Sequence, residues 1–272
     1  MKRISHKKSV RVFALIALLA SAAFVFTAPH YFSGKIGTDR STDEFLIKAE
    51  PTVGVIEVWH IAEFKPFIGS LGVWLTKRAS EFRSNYVNLY LNVRSLSPDE
   101  ARLELGRGLV PDIISFAEDT EFESYSENCV PYCATGHLLL FDPNRFDPQD
   151  TETAPGIINE FKKGKAASCV CDIGEAGVLY RAQLLGECPY FEAEVYREKG
   201  FRIQCIGCFS GIDKAKLPYA KAFVEFISGG KCQNMISEIG LIPISSDAKA
   251  DYEVDWLYEL FQEFHLEQQT DS

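Results

Sequence analysis

The sequence predicts an α/β protein built on a parallel sheet. A short apolar run rich in β-branched residues opens the body at Val53, and two more strand-like segments follow before residue 117. Between them lie a stretch with helical spacing and a helix-capping signature. Strand, helix, strand, helix, strand is the βαβαβ order, which places helices on the faces of a parallel sheet. Ligand sites in such sheets lie beyond the carboxyl ends of the strands. Those ends are Trp59-His60-Ile61-Ala62-Glu63 and Phe116-Ala117-Glu118-Asp119.

The first run, VGVIEVW (53–59), suits a strand buried on both faces. Residues 66–83 carry Ile68, Leu71, Leu75, Ala79 and Phe82 on one helical face. YVNLYLNV (86–93) alternates, with Val87, Leu89, Leu91 and Val93 on one side. Ser97-Pro98-Asp99-Glu100 is a capping box with Pro at the first helical position, and the short helix it starts stops at Gly106 or Gly108. PDIISF (111–116) reads as the third strand. Residues 120–156 are rich in turn signals around one apolar run, HLLLF (137–141). Residues 157–163 read as a helical turn, 166–171 as a strand, 178–186 as a helix and 201–209 as a strand. Pro218–Ser228 reads as a helix ended by Gly229-Gly230, and Lys231–Ile239 as a second helix capped by Gly240. The last 22 residues carry seven acids and no Lys or Arg, with Trp256, Leu257, Leu260, Phe261 and Phe264 on an amphipathic helical face.

The chain has 272 residues, 46% of them hydrophobic, enough for one or two packed domains and too apolar for wholesale disorder. Its formal charge is −10. Five of its positive charges fall in the first eleven residues, which leaves the remaining chain at −15. Such an acidic body argues against nucleic acid as a partner, because that needs a positive footprint. Residues 2–11 are basic and 12–28 almost wholly apolar, the pattern of an export signal. Two outcomes fit residues 1–28: a cleaved signal peptide, or an anchor that tethers the chain to the membrane with the body outside. Residues 29–50 read as a spacer. All eight cysteines lie between 129 and 232, and in an oxidising compartment an even count reads as disulfides whose pairing sequence does not choose.

Several segments, taken in order, resemble the extracellular solute-binding proteins of ABC importers, in the maltodextrin-type branch. They are a strand ending in Trp59-His60 followed by a helix through Leu75 and Phe82; Gly106 with Pro111-Asp112-Ile113-Ile114; Val130-Pro131-Tyr132 before HLLLF and Asn144-x-Phe146; Phe161-x-x-Gly164-Lys165-Ala166-Ala167; and Tyr219-Ala220-x-x-Phe223-x-x-Phe226-Ile227 with Gln233 and Gly240-Leu241-Ile242-Pro243. The resemblance covers about residues 53–246. It implies a two-lobed, periplasmic-binding-protein-like (type II) α/β fold that closes over a ligand. Lobe one would be 51–128 plus 209–246, and lobe two 134–208 with 247–272. Family members are usually considerably longer, and the missing part falls between Phe146 and Phe161, so the second lobe is reduced. Where many sugar-binding relatives carry a Trp, this chain has Asp172-Ile173-Gly174-Glu175. Seven of the eight cysteines lie in this lobe or at its crossover, as disulfide staples for a small core would.

The resemblance puts ligand contacts at Trp59 and Glu63, at Phe116, Glu118 and Asp119, and at Tyr132 and Thr135 where the chain crosses between lobes. An aromatic face beside a carboxylate suits a sugar. The expected function is that of an extracytoplasmic substrate-binding protein with a small polar ligand, a carbohydrate first, and ABC permease subunits as partners. No cofactor and no metal is expected, and no catalytic motif of the GxSxG, HExxH or GxxxxGK[ST] kind occurs. Two alternatives stand beside it. One is a membrane-tethered docking or sensor ectodomain. The other is a thiol–disulfide protein using Cys205-x-x-Cys208, which needs a stabilised thiolate.

Overall fold

The computed structural model describes residues 54–86, 88–147 and 156–270. The proposed signal or anchor, the spacer, Val53 and Val87 lie outside the described residues. Strand β1 (Gly54–Ile61) runs parallel to β2 (Leu89–Leu96), from Gly54 opposite Leu89 to Ile61 opposite Leu96. It also runs parallel to β3 (Ile113–Ala117), with Val58 opposite Ile113. The expected βαβαβ unit is present. Helix α1 (Leu71–Arg83) buries Leu71, Leu75, Ala79 and Phe82 as the spacing requires, but it begins five residues later than the periodicity suggested. Pro66 and a left-handed Gly69 (φ +74°) keep 66–70 out of the helix, and Ile68 stands half exposed. Helix α2 (Pro98–Gly106) starts on the full capping box, with Ser97 accepting from the Glu100 N–H and Glu100 accepting from the Ser97 N–H.

Three later strands complete this sheet. β4 (Ser126–Thr135) and β8 (Arg202–Phe209) pair antiparallel, β8 also pairs antiparallel with β3, and the short β9 (Ile242–Pro243) closes the edge. The order is β2-β1-β3-β8-β4-β9. The β4–β8 register shifts around Asn128 and Pro131, since proline lacks the N–H a regular ladder needs. One face carries Ile56, Val58, Ile113 and Ile206 against α1 and helix α5 (Leu217–Ser228). The other carries Trp59, Ile61, Ile114 and Phe116 against α2 and a 3-10 turn (Glu121–Tyr125). Burial on both faces explains why these strands read as continuous apolar runs.

A second, antiparallel sheet has β5 (His137–Phe141) between β6 (Ser168–Asp172) and β7 (Glu192–Val195). The short α3 (Ile157–Lys162), α4 (Ile173–Leu184) and the acidic α7 (Asp255–Thr270) cover it. Helix α4 begins five residues earlier than expected because Asp172 and Glu175 form a second capping box. The helix expected over 231–239 is instead a single turn, α6 (Gly230–Gln233), and a separate 3-10 turn (Ser237–Ile239). All eight cysteines are free thiols. The expected staples are not formed; seven of the cysteines are buried and Cys129 is partly buried, two or three to each core, where they serve as small hydrophobes.

Candidate functional site

The carboxyl ends of β1, β3 and β4 meet the start of β8. Register fixes the neighbours: Thr135 lies opposite Arg202, Ala117 opposite Gln204, and His60 opposite Ser115. Residues at alternate positions of a strand share a face, so Arg202 and Gln204 point to one side of β8.

Buried within this junction is a polar chain. Gln204 donates from Nε2 to Ser115 Oγ (3.0 Å) and to the Ile61 carbonyl (3.4 Å). Ser115 Oγ also lies 3.0 Å from Tyr132 Oη and 3.4 Å from His60 Nδ1. Burial alone pushes the His60 imidazole down to about 4, so it is neutral at pH 7. Burial likewise raises the Tyr132 phenol. Gln233 Nε2 donates to the Tyr132 carbonyl at 2.8 Å, while its Oε1 accepts from the Ile244 and Ser245 N–H groups. That use of Gln233 ties α6 to β4 and to the strand end after β9.

Around Arg202 the polar groups are incompletely paired. Its Nη2 lies 3.2 Å from Glu63 Oε2. Glu63 Oε1, Thr135 Oγ1 and Gln204 Oε1 are buried without a hydrogen-bond partner among the described residues. Burial raises the Glu63 carboxyl, opposed by Arg202 and Arg102. Glu118 and Asp119 follow β3 and are exposed. The Glu118 N–H donates to the Ile203 carbonyl, and its carboxyl is raised by partial burial and by the negative charges of Asp119 and Glu123. Asp119 holds a left-handed backbone (φ +60°), a conformation that non-glycine residues adopt sparingly and that concentrates at functional positions.

The structure thus separates the seven residues singled out by sequence. Glu63, Glu118 and Asp119 stand at the strand ends. Thr135 is buried beside Arg202, and Tyr132 sits in the polar chain with its ring stacked on Trp74. Trp59 lies inside β1 and Phe116 inside β3, both packed under α2. The Arg94 guanidinium covers the Trp59 ring at 5.6 Å, so both rings act here as core. Sequence reasoning gave no site role to Arg202, Gln204, Ser115 or Gln233, although Gln233 stands in one of the matching segments. For Arg202 and Gln204 the available signal was polar residues at alternate positions in the otherwise apolar run FRIQCIGCF.

Cys205 and Cys208 sit three apart in β8 and so point to opposite faces, into different cores. Burial pushes the Cys205 thiol up to about 12 and also raises Cys208, the reverse of what thiolate chemistry requires. No group of three or more His, Cys, Asp or Glu arranged to hold a metal ion occurs among the described residues. A cavity of about 420 Å³ lies elsewhere, beside Tyr180, Tyr190 and Trp256. No helix among the described residues is long and apolar enough to cross a membrane.

No family model and no curated protein matches the sequence. Solved structures do match the fold. The maltodextrin binding protein MalE1 from L. casei BL23 is 11% identical with a TM-score of 0.56, over 76% of this chain and 82% of that one. The GacH receptor of Streptomyces glaucescens, solved unliganded and with acarbose, is 12% identical with a TM-score of 0.53, over 77% and 84%. Iron-bound HitA from Pseudomonas aeruginosa is 9% identical with a TM-score of 0.51, over 76% and 92%. These neighbours are binding proteins with different ligands. The mixed α/β architecture of this chain is therefore that of the two-lobed periplasmic-binding-protein-like domains.

Proposed function

We propose that the chain is the extracytoplasmic substrate-binding component of an ABC transporter. It captures a small polar solute, in the first place a carbohydrate, between lobe one (51–128 plus 209–246) and lobe two (134–208 with 247–272). Residues 12–28 direct export or tether the body, and permease subunits are the partners. The observation that carries this reading is the trio of unpartnered buried oxygens around Arg202: Glu63 Oε1, Thr135 Oγ1 and Gln204 Oε1. Each such group left unsatisfied costs roughly 1–3 kcal/mol. A solute bearing several hydroxyl or amino donors relieves that cost, and Glu118 and Asp119 offer further acceptors at the same strand ends. Trp59, Phe116 and Tyr132 support the site from within the core. The reaction is capture and release, without covalent chemistry.

Thermal unfolding against mono- and oligosaccharides, polyamines and metal chelates tests the proposal. A ligand present at about 100 times its Kd adds roughly 2.7 kcal/mol of stability. One solute class is expected to raise Tm, and Glu63→Gln or Asp119→Asn to abolish the rise. If no class raises Tm of the folded protein, the docking or sensor reading takes its place. One observation favours that second reading: the loop after β1 packs Phe67 into the core of the second sheet.

A further inference from the structure

The cavity of about 420 Å³ lies between α4, the approach to β7 and the start of α7, and shares no residue with the strand-end site. Its volume is in the usual range of small-ligand pockets, roughly 300–1,000 Å³. Three aromatic rings line it: Tyr180, Tyr190 and Trp256. Two of them rest on the buried Phe67, whose ring lies 5.6 Å from Tyr180 and edge-on to Trp256 at 5.3 Å. Gln183 accepts from the Phe191 N–H at 3.1 Å, which fastens the segment of Tyr190 to α4. The same wall carries the carboxylates of Glu192, Glu253, Asp255 and Glu259, and no Lys, Arg or His. No hydrogen bond or ion pair among the described residues engages these four side chains. Other acids around the second sheet do have partners: Glu187 meets Lys162 at 3.8 Å, and Glu263 meets Arg197 at 2.5 Å. Exposed acids alone are a solvated surface. Here they share a concave wall with three rings, whose faces attract cations and whose apolar area packs against CH groups.

We propose that this cavity binds an organic polycation, an alkyl chain carrying two or three ammonium groups. The ammonium groups pair with the carboxylates, and the methylenes lie against Tyr180, Tyr190 and Trp256. Four carboxylates around one cavity exceed what a single positive charge neutralises, so a multiply charged ligand suits it better than a monocation. A bare metal ion would leave the rings uncovered, and these carboxylates are not arranged as a metal-holding group. A sugar would leave the charges unpaired. The site goes beyond the solute-binding reading, because it uses neither Arg202 nor Glu63 and stands or falls apart from them.

Calorimetric titration of the full chain with spermidine tests the site. Octanediol supplies an apolar body without charge, and Mg²⁺ supplies charge without a body. Spermidine is expected to saturate one site, with both controls binding at least about tenfold more weakly. The double variant Glu192→Gln/Glu259→Gln is expected to weaken spermidine at least about threefold, as the loss of two exposed ion pairs does. Tyr190→Ala is expected to weaken it by a similar factor, through the lost ring. All three positions are exposed, so these variants keep the fold; Trp256 is left in place because it packs on Phe67. Absence of saturable spermidine binding overturns the proposal. So does Mg²⁺ binding as tightly as spermidine, or an unchanged affinity in either variant, because the acids are then only a charged surface. Glu63→Gln separates the two readings. If it abolishes spermidine binding while the cavity variants leave it unchanged, the cation belongs to the strand ends: the cavity site falls and solute binding there stands. Binding that survives Glu63→Gln and weakens in both cavity variants establishes the cavity site, whatever the strand ends bind.

Discussion

Acidification isolates one buried group, His60. It is 2% exposed, its polar contact among the described residues is Ser115 Oγ, and its pKa is depressed by burial. The folded state holds it at about 4 against an ordinary value of 6.5. The sign follows from which state binds the proton. Between these two values the unfolded chain is protonated at His60 and the folded chain is not, so stability falls as pH falls. The contribution is complete above pH 6.5, is lost progressively down to about 4, and changes no further below that. At about 1.4 kcal/mol per unit, the loss is on the order of 3 kcal/mol. Urea unfolding of the parent and of His60→Gln at pH 7, 5.5 and 4 measures it. His137 and His265 also have pKa values lowered by burial, but both proteins carry them, so the difference between parent and variant belongs to His60. The parent should lose about 3 kcal/mol more than the variant between pH 7 and 4. A difference below about 1 kcal/mol would refute a neutral, desolvated imidazole at this position.

Two further outcomes follow from packing. Cys205 should resist iodoacetamide at pH 8 in the folded protein and react fully in urea, because burial lifts its thiol to about 12; rapid labelling of the native protein would sink that placement. Gly177→Ala should lower Tm, although the same exchange in an exposed helix interior stabilises by about 1 kcal/mol. The added methyl meets the Phe67 carbonyl oxygen at 2.3 Å, and such overpacking costs roughly 1–3 kcal/mol; a raised Tm would show that the loop does not press on α4.

Local chemistry made much of the fold legible. The run from Val55 to Trp59, the capping box at Ser97 and the Gly229-Gly230 stop each specify an element within a few residues, and the structure keeps all three elements. The candidate site was legible only at the strand ends, where Glu63, Glu118 and Asp119 follow from topology. Its interior was not. Gln204 and Ser115 come together through the β3–β8 pairing, which joins segments nearly ninety residues apart. Phe67 escaped because helical periodicity over 66–83 absorbed it, although Pro66 and Gly69 already broke that helix. The cysteines misled for a different reason. Their even count is compatible with disulfides, but all eight stand as free thiols, even where Cys169 and Cys171, or Cys129 and Cys205, share one core.

The small, three-stranded second sheet explains why the chain holds a residue of the first sheet's loop within it. Three short antiparallel strands need outside packing to be stable. Its core is completed by Leu257, Leu260 and Phe264 from α7 and by Phe67 from the loop after β1. Burying each of these side chains is worth about 1.5–3 kcal/mol, so together they represent on the order of 10 kcal/mol. That is comparable to the whole stability of a typical domain. Detaching α7 would therefore unfold the second sheet. Withdrawing Phe67 alone forfeits about 2–3 kcal/mol of its own burial, and also the hydrogen bonds that hold its loop to Arg181 and Ile239. The same residue that compensates for a small core is thus held by packing and by backbone hydrogen bonds together.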